Sequence, residues 1–152
     1  MCRSSRFFIL LLLAFLTDTG YAQFNHSSIE GEWYIMDHKK NRPSVLLKIK
    51  PVMHKDTYEG VFLKIFDSDT GRSIEWCQGC AKAYKKARVK GMEFIQGLVY
   101  GDRNQGSGKI LDPRNGNWYP IICKLKDKGR RLSVRVFMLF PLLGKTEVFV
   151  RK

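Results

Sequence analysis

The sequence predicts an all-β protein: about eight antiparallel strands in up-and-down order, closing into a barrel, with one short helical insertion around residues 77–90. Three observations carry this. Apolar residues alternate with polar ones, or run in short blocks of strand length, instead of recurring at the helical period. The blocks are divided by clusters of Gly, Pro, Asn and Asp, the residues of tight turns. Eight such strands of similar length close readily on themselves, which removes the exposed edges of an open sheet.

The elements follow in order. The first strand is Ile29 to Met36, ended by the polar run 37–41. Ser44 to Val52 and Thr57 to Phe66 follow, separated by a turn at 53–56, and Asp67-Ser68-Asp69-Thr70-Gly71 closes the third. Residues 72–91 break the rhythm. Within them Ala81 to Arg88 is the one plausible helix, with Lys82, Lys85 and Lys86 on a shared face, and at that length it needs tertiary support. Strands resume at Met92 to Tyr100 and Ser107 to Leu111, then Asn117 to Lys126, Arg131 to Phe140 and Lys145 to Arg151. The turn at Asp112-Pro113-Arg114-Asn115-Gly116 has Pro and Asn-Gly in the order a tight turn requires. Two strands carry bulk on both faces. Val61, Leu63 and Ile65 oppose Phe62 and Phe66; Val134, Val136, Met138 and Phe140 oppose Phe137 and Leu139. An outer apolar face calls for a cover, supplied by the inserted segment, a partner or lipid.

The amino terminus has the three parts of a secretory signal: Arg3 and Arg6, the apolar run Phe7 to Leu16, and small residues at Gly20 and Ala22. The run is about half the roughly 20 residues needed to span a bilayer. Residues 1–22 are therefore expected to be removed, leaving 23–152 as a single domain, exported to a periplasm or beyond. The full chain carries 27 Lys and Arg against 14 Asp and Glu, a net +13. Losing Arg3, Arg6 and Asp18 with the signal leaves +12. Export argues against nucleic acid as the partner and leaves an anionic envelope surface, or simple solubility of a cationic wall, as the meaning of that charge.

No catalytic constellation emerges. Cys77-Gln78-Gly79-Cys80 lacks the βαβ setting of a redox motif. With Cys123 and a histidine it would make up a zinc set, but no second paired motif accompanies it. A disulfide among Cys77, Cys80 and Cys123 is the ordinary expectation outside the cytoplasm, its pairing open. Gly106-Ser107-Gly108-Lys109 fails as a phosphate loop, because Arg103 and Ile110 stand where Gly and Ser or Thr are needed. His26, His38 and His54 show no metal spacing, and Asn25-His26-Ser27 is a glycosylation sequon in form only. No cofactor or metal is expected. Gly31-Glu32-Trp33 opens the first strand and Arg151 closes the last; in a closed barrel these are neighbours, so Arg151 laid over Trp33 would seal one end.

Several blocks together resemble a known family. They are Gly31-x-Trp33, Cys77-x-x-Cys80, Gly91-Met92-Glu93-Phe94 and Gly108-Lys109-Ile110-Leu111-Asp112-Pro113-x-x-Gly116-x-x-Tyr119. Leu132-x-Val134-Arg135, Leu142-Leu143-Gly144-x-Thr146 and Arg151 complete the set. The resemblance is to the exported bacterial proteins grouped as domain of unknown function 2147, and it spans about residues 29–151. Phe137 and Phe149 depart from the family pattern, so no pocket detail carries over. The resemblance implies a lipocalin-like, calycin-type barrel and no particular reaction.

Together these readings predict a non-enzymatic binding protein of the cell envelope that holds a small hydrophobic or amphipathic ligand. The expected lining is Phe62, Phe66, Tyr119, Val134, Val136 and Met138, with Arg135 as an anchor for an anionic group. The alternative is a filled barrel that works as an interaction module, docking to a protein or membrane surface through residues near 82–90 and 137–143.

Overall fold

The computed structural model describes residues 28–77, 79–81 and 84–152. The expected signal, the sequon at Asn25 and residue Lys82 lie outside the described residues. Nine strands form one antiparallel sheet: β1 (Gly31–Asp37), β2 (Arg42–Pro51), β3 (Tyr58–Phe66), β4 (Ser73–Ile74), β5 (Glu93–Gly101), β6 (Gln105–Asp112), β7 (Asn117–Lys126), β8 (Arg131–Phe137) and β9 (Gly144–Arg151). Each long strand pairs with its neighbours in sequence, apart from the two-residue β4, and β1 pairs with β9. Eight strands thus close into an up-and-down barrel, with β4 attached to the end of β3. The turn clusters read from the sequence are the turns observed, apart from the connection between β8 and β9.

The barrel has two unlike ends. At one, short connections (52–57, 102–104 and 127–130) and the segment 28–30 close over an apolar interior. Trp33, Leu47, Ile49, Ile95, Leu98, Cys123, Leu125, Leu132 and Phe149 are buried there. Gly106 lets β6 press inward; a Cβ at that position would lie 2.6 Å from Val99 O and 3.1 Å from Cys123 Sγ. At the other end lie the turns 38–41 and 113–116, the long insertion 67–92 and the loop 138–143.

The insertion is part of the wall. β3 pairs with β5 only up to Val61. Beyond that point Phe62 exchanges backbone bonds with Gly91 and Met92, and Ile65 and Phe66 pair with β4. The α-helix expected over 81–88 is absent from the described residues. Residues 75–77 instead run antiparallel to 86–89, with Val89 N donating to Glu75 O at 2.9 Å and Cys77 N to Ala87 O at 3.0 Å. The turns that remain have i to i+3 spacing, Tyr84 N to Ala81 O and Ala87 N to Tyr84 O. Lys86 adopts a φ of 65°, which an α-helix does not accommodate. Cys77 and Cys80 form the disulfide and Cys123 is a buried free thiol, so the three do not assemble as zinc ligands.

The strand expected to run to Phe140 stops at Phe137. Pro141 has no N–H for a ladder, and Leu143 N closes a turn on Phe140 O at 3.0 Å.

Candidate functional site

The open end holds an apolar cleft of about 870 Å³. Its base is Phe62, Phe94, Ile110 and Leu111, all buried, with the two phenyl rings 4.3 Å apart in a tilted stack. Its sides are Val45, Ile65, Tyr119 and Val136. Its rim is Asp112, Pro113, Arg114, Phe137, Met138, Leu143, Gly144, Lys145 and Glu147. The strands that supply the sides are held in register across the barrel: Val45 opposite Ile65 on β2 and β3, Ile110 opposite Tyr119 on β6 and β7. Below the cleft the interior is filled by side chains, so only the upper half of the barrel is open.

The rim is polar in a specific way. Asp112 begins the β6–β7 turn and accepts from Arg114 N at 3.0 Å, from Arg114 Nε at 3.0 Å and from Arg114 Nη2 at 2.9 Å. The Arg114 side chain is the main cause that holds the Asp112 carboxyl below the usual carboxylate range. Asn115 Nδ2 donates to Tyr119 Oη at 2.8 Å, which fixes the phenol at the top of β7. Gly116, with φ 78°, completes the turn. A Cβ there would also meet Ala81 Cβ at 3.2 Å, and Ala81 N donates to Pro113 O at 2.8 Å, so the insertion and the turn brace each other. Across the mouth Glu147 pairs with Lys145 at 2.6 Å and lies 3.9 Å from His38 Nε2. The guanidinium of Arg114 and the ammonium of Lys145 are largely in water, each paired with a rim carboxylate, Asp112 and Glu147. The arrangement is an apolar floor under two exposed ion pairs.

The sequence-predicted lining divides. Phe62, Tyr119, Val136 and Met138 border the cleft, Met138 at its exposed edge. Val134 faces inward but is fully buried in the core below. Phe66 lies elsewhere, paired with Ser73. The cause is a bulge: Leu46 faces Lys64 while Leu47 faces Phe62, so Leu63 is an extra residue and Ile65, not Phe66, follows Phe62 into the interior. Arg135 is a correction too. It lies on the outer face, opposite Ile122 and Thr146, and its guanidinium holds Pro141 O, Leu142 O at 2.9 Å and Thr146 Oγ1 at 3.0 Å. It braces a loop and does not point into the cleft. Sequence reasoning missed Arg114 and Lys145 because both stand in turns or at strand ends, where charge is unremarkable.

The sealed end is built where the first strand meets the last. Arg151 lies 4.2 Å over the Trp33 ring. Its three nitrogens donate to Gly129 O, Glu30 O and Ser28 O, each at 2.7 Å. Trp33 Nε1 donates to Ile29 O at 2.9 Å. Gly31, at φ 133°, gives the guanidinium room; a Cβ there would stand 2.7 Å from Arg151 Nη1.

Comparison with known proteins agrees with this architecture. The family described as an uncharacterized protein conserved in bacteria, DUF2147, matches residues 31–151. Nothing matches among curated proteins. Among solved structures the chain is similar to protein HP1028 from the human pathogen Helicobacter pylori, described as belonging to the lipocalin family. The TM-score is 0.63 at 14% identity, over 82% of this chain and 83% of that one. At that identity the likeness is one of fold, and the fold is a lipocalin-like barrel.

Proposed function

The chain belongs to the DUF2147 family of bacterial proteins, and from that premise we propose that it is an exported envelope protein that binds a small amphipathic molecule. The apolar part of the ligand occupies the cleft over Phe62 and Phe94, and an anionic or polar head meets Arg114 and Lys145 at the rim. The observation that carries this is the cleft itself, an apolar space of about 870 Å³ left open in a barrel whose other half is filled. Small-molecule sites of about 300–1,000 Å³ with few polar groups are the ordinary form of such pockets. Export rests on the amino-terminal sequence, and the Cys77–Cys80 bond is compatible with an oxidising compartment.

The test has two parts. Native mass spectrometry of the purified protein, with titration of a fluorescent long-chain fatty acid, should show one bound molecule per chain. Val136→Trp, which fills the cleft, should weaken uptake at least about ten-fold. Arg114→Ala with Lys145→Ala should weaken a carboxylate more than the matching alcohol. A protein that takes up neither probe, or takes them up equally in all variants, refutes the reading. Expression with the native leader should yield a chain beginning at Gln23 outside the cytoplasm; a retained leader refutes the export.

A further inference from the structure

The loop between β8 and β9 has no role in the fold that accounts for its composition. Met138, Leu139, Phe140, Leu142 and Leu143 are between 60 and 89% exposed, five large apolar side chains on one short connection. Met138 and Leu143 border the cleft, whereas Leu139, Phe140 and Leu142 face away from it. A loop shaped only to join two strands would be polar here, because such contiguous apolar exposure disfavours a soluble monomer.

The backbone of this loop is prepared to leave water. Pro141 has no N–H. Leu143 N donates to Phe140 O, and the carbonyls of Pro141 and Leu142 are taken by the guanidinium of Arg135 from the outer face of β8. The carbonyls of Phe140, Pro141 and Leu142 and the N–H of Leu143 are thus paired within the protein, which lowers the cost of moving the loop into an apolar medium. The side chains are left pointing out. Arg135 also holds the loop as a fixed ridge, so little ordering is needed when it docks.

We propose that residues 138–143 are a membrane-docking ridge that seats the open mouth of the barrel on an anionic lipid bilayer. Charge complementarity selects that occupant. Of the eight Lys and Arg between Asp112 and Glu147, five (Lys124, Lys126, Lys128, Arg130 and Arg131) lie with Asp127 at the sealed end. At the open end the connections 38–41 and 67–92 carry Lys39, Lys40, Arg72, Lys85, Lys86, Arg88 and Lys90 against Asp67, Asp69 and Glu75, beside Arg114, Arg135 and Lys145. The expected mature chain is at +12. Long-range attraction brings such a protein to an anionic surface, and burial of the ridge then fixes its orientation. The apolar surface continues down the outer wall through Phe137, Ile122 and Val99, which widens the face presented to the interface. Docking in this pose puts the cleft against the lipid, but the docking itself does not depend on the cleft having a ligand.

The experiment is flotation of the mature chain with phosphatidylglycerol–phosphatidylcholine vesicles, and with phosphatidylcholine alone. The chain should bind the anionic vesicles, and added salt should weaken the binding. Phe140→Ser with Leu142→Ser, both outside the cleft lining, should weaken it at least about ten-fold with an unchanged melting temperature. In a second variant, Leu142→Trp, the new indole should be quenched by brominated lipid, which reports insertion in an otherwise intact loop. Absence of vesicle binding, binding that survives the double substitution, or no quenching of the new indole overturns the proposal. Self-association abolished by the double substitution, without lipid binding, overturns it in favour of a contact between copies. Fatty-acid titration of the same variant in vesicle-free solution keeps the two readings apart, since it should retain the affinity of the unsubstituted chain.

Discussion

The seal formed by Trp33 and Arg151 makes a quantitative prediction. Arg151→Met keeps the length of the side chain and removes its charge and its hydrogen bonds. A cation over a desolvated indole contributes about 1–2 kcal/mol. The bond from Arg151 Nε to Gly129 O is partly buried, and a hydrogen bond to a charged group is worth about 1.5–3 kcal/mol. The bonds to Glu30 O and Ser28 O are at the surface, where water replaces the donor, so they add little. The expected loss is about 3 kcal/mol. Trp33→Phe gives up the bond to Ile29 O and leaves a gap in the core, for about 2 kcal/mol.

The informative quantity is the coupling between the two. If the ring and the guanidinium stabilise each other, the double variant loses less than the sum of the singles by about 1–2 kcal/mol. Urea unfolding followed by tryptophan fluorescence, or by circular dichroism for the Trp33 variants, measures this directly. Arg151→Met should lower the midpoint by roughly 1–2 M. Strict additivity, or a loss below about 0.5 kcal/mol for Arg151→Met as at an ordinary surface site, would refute the seal. The Arg would then be a surface residue that happens to lie over a ring.

Three further outcomes follow from the geometry. Burial pushes the Cys123 thiol up from 9.0 to about 11, so the folded chain keeps that proton where the unfolded chain has lost it. The associated stability is full below about pH 9 and disappears as pH rises to about 11, a loss of about 3 kcal/mol that should be missing in Cys123→Ala when unfolding midpoints are compared across that range. The same thiol should react with a disulfide reagent only in denaturant. Gly116→Ala sets a Cβ at positive φ and against Ala81, and should cost about 1–2 kcal/mol, with faster hydrogen exchange confined to the turn and the insertion. Gly101→Ala, where nothing lies within 4 Å, is its control and should change stability by less than about 1 kcal/mol. Asp112→Asn removes a carboxyl whose pKa Arg114 holds down. The contribution it removes is present above the unfolded carboxyl's pKa and lost as pH falls, and with Arg114 mostly in water it amounts to about 0.5–1 kcal/mol, read from midpoints at pH 7 and pH 3.

The strands were legible because their limits are set locally. Asp67 accepts from the backbone N–H groups of Asp69 and Thr70, Asp112 from that of Arg114, and such turns are visible as residue types. Closure was legible because eight antiparallel strands leave the first beside the last. What escaped depends on contacts distant in sequence. The bulge at Leu63 exists only in the register against β2, and it exchanged Phe66 for Ile65 in the interior. The segment 81–88 has the composition of a helix, but residues 86–89 pair with 75–77, next to the Cys77–Cys80 bond. Arg135 was legible in principle. Strict alternation sends it to the face opposite Val134 and Val136, the outer face where it pairs across from Ile122 and Thr146.

The bulk on both faces of β3 and β8 now has two different explanations. On β3 it is an internal matter. The upper half of that strand has lost β5 as a neighbour, and the insertion fills the place, burying Val89 and Cys77 against the core. On β8 nothing among the described residues does the same. Beyond Phe137 the apolar residues leave the sheet and stand in water, supported from beneath by Arg135. A protein able to bury Trp33 completely at one end has not failed to find room for Leu142 at the other. The ridge is built outward, by a buttress that would have no purpose if the loop were meant to collapse. This is why the decisive comparison sets Phe140→Ser with Leu142→Ser against Val136→Trp. The first should abolish attachment to anionic vesicles and spare fatty-acid uptake; the second should do the reverse, and a single defect common to both would merge the ridge and the cleft into one site.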